Sequence, residues 1–464
     1  MPLGDSTRRP AVPARPRIVT RARRAAFALT RHGLAAVVKR AAFLLTRRAL
    51  AAVAARYAHG SAHPAPRQAG GRERVTIVLA GVYSTGGITR TAMNLAASLS
   101  DCYDVDLVSV IRRRQHPQIP FPTGVRVVPL DDVFAPHGRL WWAVRTRLVR
   151  FRSVLVHPQD SRYHLFSLWT DWLLVRHLRG LDGTLITTRP GLNVAAARLA
   201  PRHVSTIGQE HMHLASHRVG LRAAIARHYP DLGALAVLTE SDRKDYARLF
   251  SSGRPPVLHL PNAVPDVGGG QADPSSKVVI AVGRLTRQKG FDLLIRAWAD
   301  VARKHPDWTL RIYGTGVERP ALKRLIADHR LAGRVRLMGR TDRIGDAYAQ
   351  ASVFVLSSRH EGLPMVILEA MSKGLPVVSF DCPTGPAEVV TDDNGILVPN
   401  GDVPGLAQAL SEVMADDERR VRLGKGAQET AAKYEAATIA RRWVELVEDL
   451  RRRSDGAQPR SAGR

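Results

Sequence analysis

Short runs of valine, isoleucine and leucine alternate with longer amphipathic stretches over most of the chain. The run "VTIVLAG" (75–81) is followed by the helical pattern "GGITRTAMNLAASLS", and "DVDLVSV" (104–110) begins the next unit. Continuous apolar runs without polar alternation are typical of strands that are buried on both faces of a parallel sheet. The pattern therefore predicts an α/β protein in which helices cover both faces of doubly wound sheets.

The series of strands and helices occurs twice along the chain. The segment "HLPNAVPDVGGGQADPSSK" (259–277) is rich in Pro, Gly, Asn and Asp, which predicts a linker between two domains. Because ligands bind beyond the carboxyl ends of the strands in such sheets, two facing domains predict a cleft. We predict a basic extension with a linker, a first domain, a second domain, and a C-terminal helix that crosses back to the first domain before a disordered tail, with bounds 1–73, 74–262, 263–435 and 436–464.

Half of the net positive charge lies in the N-terminal region of the chain. The formal net charge is +28, and residues 1–74 hold 16 basic and two acidic residues, a difference of +14. Residues 21–58 are Ala-rich, and "RAAFALTRHGLAAV" from Arg24 is nearly repeated as "RAAFLLTRRALAAV" from Arg40. Three interpretations are open: an extension from an overcalled start, a helix attracted to an anionic membrane surface, and a nucleic-acid arm, although we do not expect a nucleic-acid partner.

The rest of the composition bears on the compartment. The chain has only two cysteines, Cys102 and Cys382, and no CxxC pair, which indicates a reducing environment. No apolar run reaches the ~18 residues that a membrane span needs, and arginines interrupt the N-terminal apolar runs, unlike those of a secretory signal. We therefore expect a cytoplasmic protein, peripheral on the inner face of the cell membrane if its basic extension binds lipid.

The apolar segment "SRHEGLPMVILEAMSKGLPVVSF" (358–380) contains two glutamates that are eight residues apart. Proline is tolerated at the first helical position, so the helix should begin near Pro364, after a loop that contains Glu361. Unpaired amides of residues 362–365 would favour an anion at that helix N-terminus. Either Glu361 and Glu369 contact one ligand at two points, or the first satisfies the helix N-terminus and the second is the partner of a buried basic group.

Two further loops follow the first predicted strand of each domain. In the second domain, "GRLTRQKG" places Arg284 and Lys289 beyond the strand "VVIAVG", where two cations suit a diphosphate; a solvated pair of charges is the alternative. In the first domain, "GVYSTGGITR" places Gly86 and Gly87 at a helix N-terminus, where a phosphate or sugar could approach the backbone. The glycines lack the full dinucleotide fingerprint, and a NAD site would leave the loops of the second domain unused.

Together these motifs resemble those of the family 4 glycosyltransferases, whose GT-B fold has two facing Rossmann-like domains. The resemblance covers about residues 75–450, and its most specific part is the E-x7-E pair of Glu361 and Glu369, followed by "GLPVVSFDCPTGPAEVV" and accompanied by "GRLTRQKG" and "NGILVP". It implies a retaining enzyme that moves a hexose or N-acetylhexosamine from a UDP- or GDP-linked donor, bound by the second domain, to a cell-envelope acceptor. The acceptor would be a polysaccharide, a teichoic-acid-like polymer or a lipid-linked sugar.

The resemblance also implies which residues bind the donor. Arg284 and Lys289 would bind the diphosphate, Glu361 and the turn after it the sugar hydroxyls and phosphate, Glu369 the ribose, and Arg340 would lie beside the base. The turn "YGTG" (313–316) replaces a commoner acidic form, which loosens any assignment of the base. The full implied donor-binding set is Gly86, Gly87, Arg284, Lys289, Arg340, Glu361, Gly362, Leu363, Pro364 and Glu369.

A histidine completes the implied catalytic machinery. His211, after the strand "VSTIG", matches the position of a histidine near the transferred sugar, and His213 is the competing candidate. A double displacement needs a nucleophilic carboxylate, for which only Glu210 is a possibility in the first domain. We favour substitution on one face of the sugar, in which the leaving diphosphate takes the acceptor proton. The implied catalytic residues are His211, Arg284, Lys289 and Glu361.

No metal or other cofactor is expected, because the two cations and the helix amides would stabilise the leaving diphosphate. The aspartates of "DVD" (104–106) resemble a metal motif but are expected at an edge of the sheet. The segment 138–157 combines Trp141 and Trp142 with four arginines, which suits a membrane interface or an anionic acceptor, or equally a solvated helix face. Two other functions stay open: a GT-B sugar-nucleotide epimerase, and a non-catalytic basic protein that binds membranes or nucleic acid.

Overall fold

A computed structural model describes residues 72–84, 86–250 and 252–456 of the chain. The predictions made for the basic extension up to residue 71, including a membrane-binding role of residues 21–58, lie outside the described residues, as does the tail after residue 456. Within the described ranges, no helix combines the length and hydrophobicity that a bilayer crossing requires.

The first domain contains a seven-stranded parallel sheet with the strand order β3-β2-β1-β4-β5-β6-β7. The apolar runs form these strands as the hydrophobic pattern predicts, and five of the six residues of the first strand are buried. The strands are β1 (Arg74–Leu79), β2 (Asp104–Arg112), β3 (Val125–Asp132), β4 (Thr184–Thr187), β5 (Ser205–Glu210), β6 (Ala234–Val237) and β7 (Val257–His259).

Six helices alternate with these strands. The first begins at the paired glycines, with Gly86 as its N-cap. The second, α2, has no buried residue, so it lies on the surface rather than in the core. The helices are α1 (Gly87–Leu99), α2 (Arg139–Leu148), α3 (Leu168–Arg179), α4 (Pro190–Leu199), α5 (Val219–His228) and α6 (Glu240–Leu249).

The aspartates of the "DVD" sequence do not lie on an edge strand. The strand β2 pairs with β1 on one side and with β3 on the other, so the expectation of a sheet edge is wrong. Asp106 is buried and accepts a hydrogen bond of 2.7 Å from the Arg126 Nε on β3. This carboxylate therefore contributes to strand pairing, because it neutralises a cation beside it.

The second domain contains a six-stranded parallel sheet with the order β10-β9-β8-β11-β12-β13. In each domain the strand order reverses beside the first strand, between β1 and β4 in the first sheet and between β8 and β11 in the second. Such a reversal opens a crevice at the carboxyl ends of the strands. The strands are β8 (Val278–Val282), β9 (Thr309–Tyr313), β10 (Val335–Gly339), β11 (Val353–Leu356), β12 (Val377–Asp381) and β13 (Gly395–Pro399).

The helices of the second domain pack on both faces of its sheet. The first of them places its apolar residues three and four positions apart, and these include the buried Leu294, Trp298 and Val301. Full burial of each such side chain stabilises the fold by about 1.5–3 kcal/mol. The helices are α7 (Phe291–Lys304), α8 (Arg319–Asp328), α9 (Ile344–Ala349), α10 (Met365–Ser372), α11 (Pro386–Val389), α12 (Val403–Ala415) and α13 (Asp417–Ala432).

The last helix, α14 (Ala436–Gly456), belongs to the core of the first domain. Its buried side chains include Trp443 and Val447, which join the apolar cluster formed with β1 and α1. The chain therefore crosses between the domains twice, and the two crossings meet where the Val264 N–H donates a hydrogen bond of 2.8 Å to the Tyr434 carbonyl oxygen.

Candidate active site

The loop after β8 carries the two cations of the "GRLTRQKG" motif. A short helical turn, Arg287–Lys289, ends at Gly290, which has a φ of 63°. A Cβ at Gly290 would lie 1.9 Å from the Ser357 carbonyl oxygen at the end of β11. Only glycine permits both this conformation and this approach. The loop after β8 is therefore held directly against the loop after β11.

This packing brings Lys289 and Glu361 together, although 72 residues separate them. The Lys289 Nζ lies 2.6 Å from the Glu361 Oε1, and the two side chains are only 15% and 9% exposed. The Ser358 hydroxyl donates a second hydrogen bond of 2.5 Å to the same oxygen. The Glu361 carboxylate is thus neutralised and fixed in orientation, and its partner Lys289 lies beside the turn that leads into α10.

The turn between Glu361 and α10 presents backbone amides to the cleft. The helix begins at Met365 with Pro364 as its N-cap, as the sequence predicts. The N–H groups of Gly362, Leu363 and Met365 donate no hydrogen bond to a backbone acceptor among the described residues. Unpaired amides at a helix N-terminus, with a lysine beside them, suit a phosphate oxygen.

A second loop, after β12, holds this turn through two backbone hydrogen bonds. The Glu361 N–H donates to the Pro383 carbonyl oxygen at 2.7 Å, and the Thr384 N–H donates to the Glu361 carbonyl oxygen at 3.1 Å. A Cβ at Gly385 would lie 1.7 Å from the Gly362 carbonyl oxygen, so a side chain there would displace the turn. The geometry of the turn therefore depends on the loop after β12 as well as on its own sequence.

Glu369 lies one turn into α10 and is 8% exposed. The Tyr348 hydroxyl donates a hydrogen bond of 3.2 Å to the Glu369 Oε2. Burial raises the pKa of Glu369, and the hydrogen bond from Tyr348 and the charges of Arg90 and Lys289 oppose this rise. Arg90 belongs to α1 of the first domain, so this carboxylate lies where the two domains face each other.

Three predicted donor-binding positions are open to solvent. Arg284 is exposed and has no acidic partner among the described residues. Arg340 lies after β10 with a side chain that is 68% exposed, and its acidic partner among the described residues is Asp342, at 3.4 Å. A Cβ at Gly87 would meet no atom of the described residues within 4 Å. These three positions are therefore accessible to a ligand.

His211 begins the loop after β5 and contacts the second domain through its backbone. A Cβ at Gly362 would lie 3.4 Å from the His211 carbonyl oxygen, so the predicted histidine and the turn after Glu361 lie on opposite sides of one cleft. The His211 Nε2 is buried and has no hydrogen-bond partner within the described part of the chain. Burial, reinforced by the charge of Arg189, lowers the pKa of His211 to about 4.

The lowered pKa of His211 predicts acid sensitivity. The unfolded chain takes up this proton near the ordinary pKa of 6.5, whereas the folded protein resists it until about pH 4. The unfolded state therefore binds more protons in that window, so the stabilisation present above pH 6.5 is lost as the pH falls towards 4. We expect the His211→Asn substitution to flatten the dependence of the melting temperature on pH between these values.

His228 contributes to the same pH dependence and is unchanged in the His211 variant. Burial and the charges of Arg198 and Arg227 also lower the pKa of His228 to about 4, so the wild-type slope contains both histidines. Thermal unfolding from pH 4 to 7 should therefore show a reduced slope in the His211 variant, and an identical slope in variant and wild type would contradict the assignment.

Glu210, the candidate nucleophile, is buried in the first domain, and its Oε1 accepts two hydrogen bonds. It accepts hydrogen bonds from the Tyr229 hydroxyl and from the Asn193 Nδ2, the latter at 2.9 Å. The His217 Nε2 lies 3.4 Å from its other carboxylate oxygen. Because Glu210 is only 2% exposed, a sugar could not reach it without rearrangement of these partners. The carboxylate instead fixes the start and the end of the loop that carries His211.

Sequence reasoning missed four residues of this cleft. Arg90 and Arg189 act on Glu369 and His211, while Ser358 and Tyr348 bind the two glutamates. Arg90 and Arg189 follow the carboxyl ends of β1 and β4, the two strands at the switch point, and that position was a usable signal. The other two could not be found, because a serine and a tyrosine in apolar surroundings carry no pattern of their own.

Comparison with known sequences identifies a matching family model and several similar proteins. Residues 276–416 match the family model described as "Glycosyl transferases group 1". An exopolysaccharide phosphotransferase of Streptomyces coelicolor is 32% identical over 394 residues, which are 82% of this chain but 41% of that protein. The amylovoran biosynthesis glycosyltransferase AmsD of Erwinia amylovora is 26% identical over 384 residues, 81% of this chain and 99% of that protein.

Solved structures show the same fold at low sequence identity. A mutant of S. aureus TarM, in complex with fondaparinux, alpha-GlcNAc-glycerol and UDP, superimposes with a TM-score of 0.65 at 16% identity over 81% of this chain and 99% of that chain. Sucrose-phosphate synthase from Thermosynechococcus elongatus gives 0.64 at 19% identity, over 82% and 99%. Residues 276–416 therefore match a glycosyl transferases group 1 domain, and the described residues share the GT-B fold of these solved structures.

Proposed function

We propose that this protein transfers a hexose or N-acetylhexosamine from a nucleotide-diphosphate sugar to a cell-envelope acceptor. The observation that carries the proposal is the Lys289–Glu361 pair beside the open amides of α10, at the carboxyl ends of β8 and β11. A cation, a fixed carboxylate and a helix N-terminus together recognise a phosphorylated sugar, because they bind the anion and the hydroxyl groups at once.

The donor would span the mouth of the second domain. Lys289 and Arg284 bind the diphosphate, Glu361 accepts hydrogen bonds from sugar hydroxyls, and Glu369 accepts them from the ribose. Arg340 lies beside the base, which is uracil or guanine. UDP was present in the solved complexes of TarM, and UDP with glucose in a complex of Anabaena HepE, which supports a uridine donor.

We propose a retaining reaction on one face of the sugar. The bond between the anomeric carbon and the diphosphate oxygen breaks, and the acceptor hydroxyl oxygen forms the new bond from the same side. The acceptor proton passes to the leaving diphosphate, whose charge Arg284, Lys289 and the α10 amides stabilise. Burial and engagement of Glu210 support this route over a double displacement, and the same charges support a reaction without a metal.

The acceptor is proposed from the character of the relatives. AmsD is named for amylovoran biosynthesis, and other sequence relatives include the lipopolysaccharide core biosynthesis glycosyltransferase LpsE of Rhizobium meliloti and the poly(glycerol-phosphate) alpha-glucosyltransferase of Bacillus subtilis. These names support a polysaccharide, a teichoic-acid-like polymer or a lipid-linked sugar. Such an acceptor would be glycosylated in the cytoplasm, at the inner face of the cell membrane.

Donor binding tests the proposal. We expect the Glu369→Gln substitution to raise KM for the donor by about 10- to 100-fold, because a hydrogen bond to a charged group contributes about 1.5–3 kcal/mol. The matched variant Tyr348→Phe removes only the hydroxyl that supports Glu369, so its KM should change less. Initial rates with labelled UDP- and GDP-sugars give the donor KM of each variant. Equal KM values for the two variants would contradict ribose binding by Glu369.

The same incubations separate the other candidate functions. Interconversion of free nucleotide sugars without an acceptor would identify an epimerase. Failure to bind any nucleotide sugar, together with salt-sensitive binding to DNA, would leave a non-catalytic basic protein. The anomeric configuration of the transferred sugar, read by NMR of the product, decides between retention and inversion.

A further inference from the structure

The surface of the first domain around α2 exposes a concentration of large apolar side chains. Eleven such side chains are exposed in the described residues, and six of them lie between residues 134 and 172, including all four aromatic ones. We call this set the aromatic–arginine surface; its apolar members are Phe134 (45% exposed), Leu140 (78%), Trp142 (38%), Val144 (38%), Phe151 (59%) and Trp172 (47%).

The charges around these side chains have one sign. Residues 133–179 contain two acidic residues, Asp160 and Asp171, and both are buried, at 4% and 6% exposure. Asp160 pairs with Arg189 at 2.6 Å, and Asp171 accepts a hydrogen bond of 2.6 Å from Ser153. The same segment has exposed arginines at positions 139, 147, 150, 152, 162 and 176. Its outward side is therefore cationic, without an exposed carboxylate to neutralise it.

The aromatic rings of this surface are held by packing rather than free to turn inward. Trp141 lies between a stacked His137, at 3.6 Å, and an edge-on Trp169, at 5.3 Å. Trp169 in turn stacks on Trp172 at 5.1 Å, and Trp142 meets Trp141 edge-on at 4.9 Å. The half-buried Trp141 and the buried Trp169 therefore present Trp142 and Trp172 at fixed positions on the exterior.

The geometry of α2 adds an apolar ridge. Leu140 and Val144 are four residues apart, so they lie on one face of the helix, and Arg147 is on the same face one turn further. The helix has no buried residue. An isolated surface helix does not gain stability from exposing leucine and valine to water, so this face is suited to contact with another apolar phase.

We propose that the aromatic–arginine surface binds a lipid bilayer that contains anionic lipids. Arginine side chains place their charges at the headgroups while their stems and the neighbouring tryptophans occupy the interface, and leucine and valine reach the acyl boundary. A protein partner with a neutral surface would leave six exposed arginines without counter-charges, whereas an anionic bilayer supplies a continuous sheet of them.

The position of the surface determines which side of the first domain would face the bilayer. Phe134 links the surface to the carboxyl end of β2, because the Arg112 guanidinium at the end of that strand lies 5.3 Å from the Phe134 ring and 4.7 Å from the ring of Tyr83. A bilayer bound to this surface would therefore adjoin the carboxyl ends of β1, β2 and β3, at the first-domain side of the cleft. The inference concerns binding alone and holds whether or not the proposed glycosyl transfer is correct.

Vesicle partitioning of the full chain tests the inference. We expect binding to vesicles with about one third phosphatidylglycerol to exceed binding to pure phosphatidylcholine vesicles. Arg147→Glu should lower the partition coefficient about fivefold or more, since each cation near an anionic surface contributes about that factor. The double variant Leu140→Asp/Val144→Asp should lower it about tenfold or more, because the apolar contact is lost.

Matched controls lie on the second domain. Arg324→Glu changes the same charge on an exposed position of α8, and Val421→Asp changes an exposed valine of α13; neither should alter partitioning by more than about twofold. Melting temperatures confirm that each variant is folded. Equal partitioning of the surface variants and the wild type would overturn the proposal, as would equal binding to neutral and anionic vesicles. A self-association that the Leu140 and Val144 changes abolish, with vesicle binding unchanged, would also overturn it.

Discussion

Replacing Lys289 with alanine is expected to lower kcat/KM for the nucleotide-sugar donor by about 10²- to 10³-fold, the loss that follows removal of one group that stabilises developing charge. The substitution removes the cation that pairs with Glu361 at the turn into α10, and it leaves the Glu361 carboxylate, 9% exposed, without its counter-ion. An unpaired buried carboxylate repels a diphosphate, so both effects lower turnover. Initial rates of labelled sugar transfer or donor hydrolysis measure the change.

A double-mutant cycle separates these two effects. If the lysine acts only by orienting Glu361, the double variant Lys289→Ala/Glu361→Ala should be no slower than Glu361→Ala. If Lys289 contacts the diphosphate itself, as we propose, the double variant should be slower than Glu361→Ala. Lys304→Ala, at the exposed end of α7, is the control for loss of one positive charge. Unchanged kcat/KM in Lys289→Ala would contradict the donor site.

Replacing Glu210 with alanine is expected to lower the free energy of unfolding by about 2–5 kcal/mol, because two buried donors lose their acceptor at a cost of about 1–3 kcal/mol each. These donors are the Tyr229 hydroxyl and the Asn193 amide. Denaturant unfolding measures the change. Glu240→Ala is the matched control, since its exposed pair with Arg243 contributes about 0–1 kcal/mol.

The isosteric variant Glu210→Gln decides the chemical role of this residue. Glutamine keeps one acceptor oxygen and the volume, so the fold should lose less than in the alanine variant. Under one-face substitution the variant keeps turnover and anomeric configuration. Loss of turnover in a variant with a wild-type melting temperature would instead identify Glu210 as a nucleophile and would contradict the proposed mechanism.

The sequence was sufficient for the architecture because the apolar runs are strong and local. Each run predicts a strand, and the order of strands and helices predicts two doubly wound domains with loops at the carboxyl ends. The start of α10 was also predictable, because Pro364 fixes it by covalent geometry. The sequence further predicted that Arg284, Lys289 and Glu361 lie in loops, since the runs that precede them end there.

What could not be predicted are the contacts that depend on packing between loops. The pairing of Lys289 with Glu361 requires that β8 and β11 be neighbours, which follows from topology and not from spacing. The burial of Glu210 requires that α4 and α5 cover it, so its chemistry could not be distinguished from that of an exposed carboxylate. The same holds for the aspartates on β2, whose position depends on which strand pairs at the edge.

The two crossings between the domains have a consequence for engineering. Because the final helix completes the core of the first domain, the second domain is an insert within the first domain rather than its successor in the chain. A chimera that exchanges the second domain must therefore be cut twice, near Val264 and near Tyr434, where the two connections are hydrogen-bonded to each other. A single junction would transplant a foreign helix into the apolar cluster around Trp443, and the first domain would lose part of its own interior.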